Sequence, residues 1–364
     1  MLWPANYRNG STVRRHIPLK GANVLRPSIA IAGTSNSVMA RCYAWVLENA
    51  PDFDVVNHSR GASSSTVLPY AMGKIDLDRT DFLVIDVLNN EENFVHSGQT
   101  TVEDVKNNLC SALEAAAEHG VVPIVLSFPR QNFLNRERVV HDTMKALCRD
   151  LGVVFVDMYD MIEVAEQQAP VQVYKKSFFE NVAHIKRPIS RMVGLRLADA
   201  IRRSSRSEMV TASEHGVAFD QVEFCFPNPD MGLFERQNGF ATEQIAALGV
   251  GDRIELIGGS DVVGIGFNSE MTDCVVSTDS DQVISLRGPD KAEGRELMTV
   301  ILPTRFRSSQ LVVSGQPEGR FEFVGYARHT GVRRTQMRIA SRAVLPVPEF
   351  DDQFHKDIAL VAVS

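Results

Sequence analysis

Ile29-Ala30-Ile31-Ala32-Gly33-Thr34-Ser35-Asn36-Ser37 decides how the first half of the chain reads. A short apolar run stops at a glycine and delivers a serine, and residues 38–47 beyond it carry a helical pattern. A serine on a tight strand-to-helix turn presents its hydroxyl at the carboxyl edge of a sheet, above a helix N-terminus. That placement suits a nucleophile. Gly-x-Ser turns also serve as plain connections, so the reading depends on what the other strand ends deliver.

Phe53-Asp54-Val55-Val56-Asn57 is the next apolar strand, and it runs into His58-Ser59-Arg60-Gly61. Gly61 has no Cβ, so its backbone N–H can come close to a reacting centre. The third strand, 81–88, ends in Asn89-Asn90-Glu91-Glu92-Asn93, where an asparagine amide can donate to a developing oxyanion. Residues 121–127 and 153–157 supply a fourth and a fifth strand. Phe178-Phe179-Glu180-Asn181-Val182-Ala183-His184 then precedes a helix over 190–203. Between the strands, Thr101 caps a helix that ends at His119-Gly120, and a second helix over 135–151 stops at Gly152. Strands alternating with helices predict a mostly parallel sheet covered on both faces.

Four blocks in this order resemble the SGNH (GDSL-like) hydrolase superfamily, over roughly residues 27 to 204. Gly33-Thr34-Ser35 resembles the Gly-Asp-Ser of block one, and Gly61 after Asn57 the glycine of block two. Residues 81–91 resemble the block-three strand, which places the functional asparagine at Asn90. Asn181-x-x-His184 resembles the Asp-x-x-His of block five. Thr34, Leu88 and Asn181 depart from the family's Asp, Gly and Asp, and Ile185-Lys186-Arg187-Pro188 lacks the immediate proline.

The resemblance implies a three-layer, flavodoxin-like α/β sandwich that performs acyl transfer. Ser35 attacks an ester carbonyl, His184 carries the proton, and Asn181 orients His184 without supplying the charge a carboxylate would. The Ser35 and Gly61 N–H groups and the Asn90 side chain form the oxyanion hole. Ser37 is the alternative to Ser35 and Asn89 the alternative to Asn90 should the register differ. Glu180 is a nearby carboxylate and the candidate substitute for the missing acid, at a spacing that does not favour it. Asp86, inside an apolar strand, reads as a buried structural acid. Arg130 follows Phe128-Pro129 on the edge where ligands bind in open α/β sheets, as a substrate contact or as a surface cation.

The chain has 364 residues, a net charge of −7 and a pI near 5.8. That length predicts two domains, and that charge gives no broad attraction to nucleic acid or an anionic membrane. Residues 1–26 form an N-terminal extension with neither a signal peptide nor a membrane span. The α/β domain runs over 27–206, and the polar run 202–207 marks the boundary. From 209 to 364 short strands replace helices: 217–219, 253–257, 262–267, 297–302, 310–313, 320–324 and 358–363. They predict an all-β sandwich or barrel. An esterase-like domain joined to such a module resembles carbohydrate-active enzymes with an accessory glycan-binding domain. Tyr326 is its only tyrosine and Trp3 and Trp45 lie outside it, so a structural or oligomer-forming role stands beside glycan binding.

These readings converge on a serine esterase or O-acyltransferase that removes or transfers an acetyl ester on a carbohydrate or glycan precursor. Its partners are the ester substrate and, for transfer, an acyl donor; Lys175 and Lys176 read as solvated surface or as contacts for an anionic substrate or a CoA-type donor. The alternative is a catalytically silent SGNH-like protein that binds a glycan or a partner. No cofactor and no metal are expected. The Gly33–Ser37 turn lacks a phosphate-loop lysine and the further glycines of a dinucleotide fingerprint, and no His-x-x-x-His pair occurs among nine histidines. The five cysteines are scattered, which predicts a reducing, cytoplasmic setting.

Overall fold

A computed structural model describes residues 26–169, 172–204, 210–238, 241–287, 298–315, 320–339 and 350–363. The expected N-terminal extension lies outside the described residues apart from Arg26, as does the junction at 205–209.

The first half alternates strand and helix: β1 (Ser28–Gly33), α1 (Ser35–Val38), α2 (Tyr43–Glu48), β2 (Asp54–Asn57), α3 (Val67–Met72), β3 (Phe82–Asp86), α4 (Leu88–His96), α5 (Val102–Glu118), β4 (Val122–Ser127), α6 (Val139–Leu151), β5 (Val154–Asp157), α7 (Met158–Gln168) and α8 (Arg187–Arg203). The strands form a parallel five-stranded sheet in the order β2-β1-β3-β4-β5. Side chains alternate between its faces. Ile29, Ile31, Phe82, Val84, Ile124 and Val156 pack under α2, α7 and α8. Ala30, Ala32, Leu83, Ile85 and Val125 pack under α3, α5 and α6. Burial on both faces is why β1, β3 and β4 read as continuous apolar runs, while β2 at the sheet edge leaves Asp54 and Val56 exposed.

Local chemistry sets the helix ends. Thr101 and Asp104 form a reciprocal capping box at the start of α5. Gly152 ends α6 in the left-handed conformation, at φ +73°. The single helix expected over 38–47 is instead the pair α1 and α2, separated where Arg41 takes a positive φ of 64°. The helix expected from 135 starts at Val139.

The second half forms one eight-stranded antiparallel sheet. Its strands are β6 (Val210–Cys225), β7 (Phe234–Gln237), β8 (Thr242–Leu248), β9 (Arg253–Asn268), β10 (Asp273–Thr278), β11 (Val283–Arg287), β12 (Thr299–Ser314) and β13 (Phe321–Ile339). They run in the order β11-β10-β12-β9-β13-β8-β7, with β6 also paired to β13. Two pairs of expected short strands merge: 253–257 with 262–267 in β9, and 297–302 with 310–313 in β12, with Leu297 itself outside the described residues. Gly258 and Gly259, both at positive φ, and shifts in the β9–β12 register bend these strands. Residues 358–363, expected as a strand, belong to a C-terminal helix, Asp352–Val363. A six-residue apolar run carries no period of its own. Phe354, Ile358 and Ala362 sit one helical turn apart and pack beside α7 and α8, in the core of the first half.

The two halves share a core. Phe219, Ile245, Ile301 and Val324 of the β sheet pack with α3 and α5. At Gly264 of β9 a Cβ would lie 2.9 Å from Thr66 Cγ2, so this contact needs the glycine.

Candidate active site

Ser35 stands at the carboxyl edge of β1, as the first residue of α1. The turn is built around its neighbours. A Cβ on Gly33 would lie 2.0 Å from Ser37 Oγ, so only glycine lets the chain fold back this tightly. The Thr34 N–H donates to the Asp86 carbonyl at 2.9 Å, and Ser37 Oγ donates to Asp86 Oδ2 at 2.8 Å. Ser37 and the Tyr43 hydroxyl are 2.6 Å apart. Asp86 is fully buried, and burial pushes its carboxyl up to about 7 against the bonds from Ser37 and Tyr43. Ser37 and Asp86 therefore staple the turn to β3, while Ser35 points elsewhere.

Ser35 Oγ lies 2.8 Å from His184 Nε2, and His184 Nδ1 lies 3.0 Å from Asn181 Oδ1. Asn181 Oδ1 also accepts from the backbone N–H groups of Ala183 (2.9 Å) and His184 (3.1 Å). These donors fix the oxygen of the amide toward the ring. An oxygen facing Nδ1 requires Nδ1 to carry the proton, which leaves the Nε2 lone pair to accept from Ser35. The loop holding both residues is closed by the Lys186 N–H to Phe178 carbonyl bond at 2.8 Å. Glu180 takes Arg187 at 3.1 Å. Burial, and next the Arg130 charge, hold the His184 pKa below its ordinary value, with Glu180 opposing.

Neither Ser35 nor Gly61 donates its backbone N–H to another described residue. A Cβ at Gly61 would meet only Val38 Cγ2, at 3.6 Å, so packing does not require glycine there. Asn90 lies in the first turn of α4, just beyond the strand end where the sequence placed it. Its Nδ2 donates to the Ser63 carbonyl at 2.9 Å, and its Oδ1 accepts from Arg130 Nη1 at 3.1 Å. Asn89 points to the other side and donates to the Ala183 carbonyl at 2.9 Å, tying α4 to the His184 loop. Lys175 is paired with Glu163 at 3.3 Å.

The β sheet grips the loop that carries Gly61. Glu243, 1 % exposed, accepts from Arg60 Nη2 at 2.5 Å, from Lys74 Nζ at 2.6 Å and from the Tyr70 hydroxyl. Ser63 Oγ accepts from the Ile301 N–H at 3.1 Å, and the Ser64 N–H donates to the Ile301 carbonyl at 3.3 Å. Sequence reasoning missed this junction, although the alternation over 242–245 puts Glu243 on the inward face with Ile245.

A second Ser-His-Asp chain also escaped it. Ser127 Oγ lies 2.8 Å from His141 Nδ1, and His141 Nε2 lies 3.1 Å from Asp157 Oδ2. All three are buried, and Lys145 pairs with Asp157 at 2.7 Å. Ser127 is closed to any substrate, so this chain ties β4, α6 and β5 together. The strand-end positions of Ser127 and Asp157 were its only sequence signal.

Among the described residues no cluster of His, Cys, Asp or Glu could hold a metal ion, and Cys42, Cys110, Cys148, Cys225 and Cys274 are unpaired. No described helix is long and apolar enough to cross a membrane. No family model and no curated protein matches the chain. Among solved structures, CapF with the inhibitor 3-isopropenyl-tropolone is similar at 9 % identity and a TM-score of 0.20, covering 84 % of this chain and 99 % of that one. Capsular polysaccharide assembling protein CapF from Staphylococcus aureus is similar at 12 % identity and a TM-score of 0.15, covering 83 % and 96 %. Neither likeness bears on the chemistry of this site.

Proposed function

We propose that the chain is a serine-dependent esterase or O-acyltransferase of the SGNH type, acting on an acyl ester of a carbohydrate or glycan precursor. The observation that carries this reading is the hydrogen-bonded chain Ser35 Oγ–His184 Nε2, Nδ1–Asn181 Oδ1 at a strand end. The sheet order is that of flavodoxin-like doubly wound folds, whose ligands bind outside the carboxyl ends of the strands. The carbohydrate ester is the substrate class the resemblance implies, and unpaired cysteines suit a reducing, cytoplasmic setting.

In the reaction, Ser35 Oγ bonds to the ester carbonyl carbon as its proton passes to His184 Nε2. The carbonyl π electrons move to the oxygen, where the Ser35 and Gly61 N–H groups, without a partner among the described residues, stabilise the charge. Asn90 has one amide hydrogen beyond the bond to Ser63 for the same purpose. Collapse breaks the bond to the alcohol, which leaves with the proton from Nε2. Water or an acceptor hydroxyl then attacks the acyl-Ser35 carbonyl, giving its proton to Nε2, and Ser35 is released with that proton. Asn181 keeps the tautomer but cannot balance the imidazolium charge.

That difference yields a prediction. The base must be neutral, and the His184 pKa lies below its ordinary value. The acid limb of kcat/KM for p-nitrophenyl acetate should therefore fall below pH ~6.5. Asn181→Asp adds a carboxylate that favours the imidazolium, so it should move this limb upward and raise the plateau about tenfold. An unmoved limb would show that Asn181 does not act through the ring.

The reading itself is tested by a fluorophosphonate probe followed by intact and peptide mass analysis. Labelling at Ser35 is expected. Complete absence of labelling together with absence of ester turnover would overturn it in favour of a ligand-binding protein.

A further inference from the structure

Arg130 leaves β4 through Phe128-Pro129 and enters the site beside Asn90. Its Nη1 donates to Asn90 Oδ1 at 3.1 Å. The Asn93 amide, one turn along α4, faces the same guanidinium; assigned with its oxygen toward Arg130, the orientation that satisfies both groups, it accepts from Nη2 at 2.9 Å and Nε at 3.3 Å. The Arg130 segment is fastened to the His184 loop, since the Gln131 N–H donates to the Val182 carbonyl at 2.9 Å. Asn89 Nδ2 bridges the Pro129 and Ala183 carbonyls, at 3.3 and 2.9 Å. The guanidinium is thus held between the asparagine and the histidine of the site, close enough for its charge to be felt at His184.

No carboxylate pairs with Arg130 among the described residues, and the side chain is half-buried. Three other cations of these loops have carboxylate partners, Arg187 in Glu180, Lys175 in Glu163 and Arg60 in Glu243, while Arg138 lies over the Tyr159 ring without one among the described residues. A guanidinium has five N–H donors, and the two amide oxygens take three of them. Taking a cation partly out of water against neutral acceptors alone is unfavourable, and an arriving anion offsets that cost.

We propose that Arg130 binds an anionic oxygen group, a carboxylate or a phosphate, on the substrate whose acyl ester Ser35 attacks; the assignment rests on the acyl-transfer reading. Asn90 and Asn93 hold the planar fork in place and leave its remaining donors for the anion. The favoured substrate is then an acylated sugar acid or sugar phosphate rather than a neutral sugar ester.

The test uses the full chain and three esters: phenyl acetate, 4-acetoxybenzoate and 4-acetoxyphenyl phosphate, each rate corrected for its spontaneous hydrolysis. Wild type should prefer one of the anionic esters by about tenfold to a hundredfold in kcat/KM. The favoured one tells carboxylate from phosphate. Arg130→Gln, checked for folding by circular dichroism, should bring the ratio to about one, and Arg130→Lys should retain part of it. A wild-type ratio near one, or a preference that survives Arg130→Gln, overturns the assignment while Ser35 labelling leaves acyl transfer standing. Calorimetric titration with inorganic phosphate and with benzoate reads the site without turnover. Binding by wild type that Arg130→Gln loses supports it, and binding of neither anion by wild type overturns it.

Discussion

Ser35→Ala should lower turnover of an activated acetyl ester by at least about a thousandfold, with melting temperature almost unchanged. The size follows from the mechanism: without the hydroxyl no acyl-enzyme forms, and only the oxyanion donors and bound water remain. The unchanged stability follows from the surroundings. Ser35 is half-buried, and its hydroxyl bonds to the partly exposed ring of His184, which can turn to water when the partner is gone. Ser37→Ala is the informative contrast two residues on. Ser37 is buried between Asp86 and Tyr43, so its loss takes one of the two donors from a buried carboxyl and leaves a gap that solvent does not reach. That should cost about 1–3 kcal/mol of stability in urea unfolding. Retained turnover in Ser35→Ala would remove the serine mechanism, and equal stability losses in the two variants would remove the division of labour within the turn.

Much of the first half was legible because its physics is local. Parallel strands buried on both faces give unbroken apolar runs, and β1, β3 and β4 lie where those runs lie. The Thr101–Asp104 box and Gly152 mark helix ends through bonds within a few residues. Asn181 and His184 are three apart, so a single turn fixes their geometry. What joins Ser35 to His184 is a contact across 149 residues, and no local pattern contains it; the order of four blocks supplied it through the resemblance. Where the reading failed, the deciding interaction was distant or had two local solutions. Residues 358–363 suit strand or helix equally, and the helix is chosen by Phe354, Ile358 and Ala362 meeting the α/β core. Residues 38–47 divide because Arg41 takes a left-handed backbone that no residue type announces. Glu243 falls in a stretch that the sequence did not mark as a strand, and its partners Arg60 and Tyr70 lie 183 and 173 positions away.

Removing that glutamate should have the largest effect on stability. Glu243→Ala leaves the Arg60 guanidinium, 9 % exposed, and the Lys74 ammonium, 24 % exposed, facing each other without a counter-charge. Breaking a buried pair from one side costs about 3–5 kcal/mol, because the remaining charge stays out of water. Burial opposes ionisation of Glu243, but Arg60 and Lys74 outweigh it and hold the carboxyl below the usual glutamate range. The sign follows: a depressed folded-state pKa gives stability that is present above the unfolded value and lost as pH falls through the folded one. The difference in urea midpoint between wild type and Glu243→Ala should therefore hold down to about pH 4 and narrow below it. Activity should fall as well. The Arg60 N–H donates to the Gly33 carbonyl at 2.9 Å, and Gly61 follows directly, so a guanidinium freed to seek water drags on the loop beside Ser35. Arg60→Met combined with Glu243→Met separates charge from packing. If the double variant recovers most of the stability but not the turnover, the ion pair serves to place the Gly61 loop. If it recovers both, the β sheet supports the first half by packing alone.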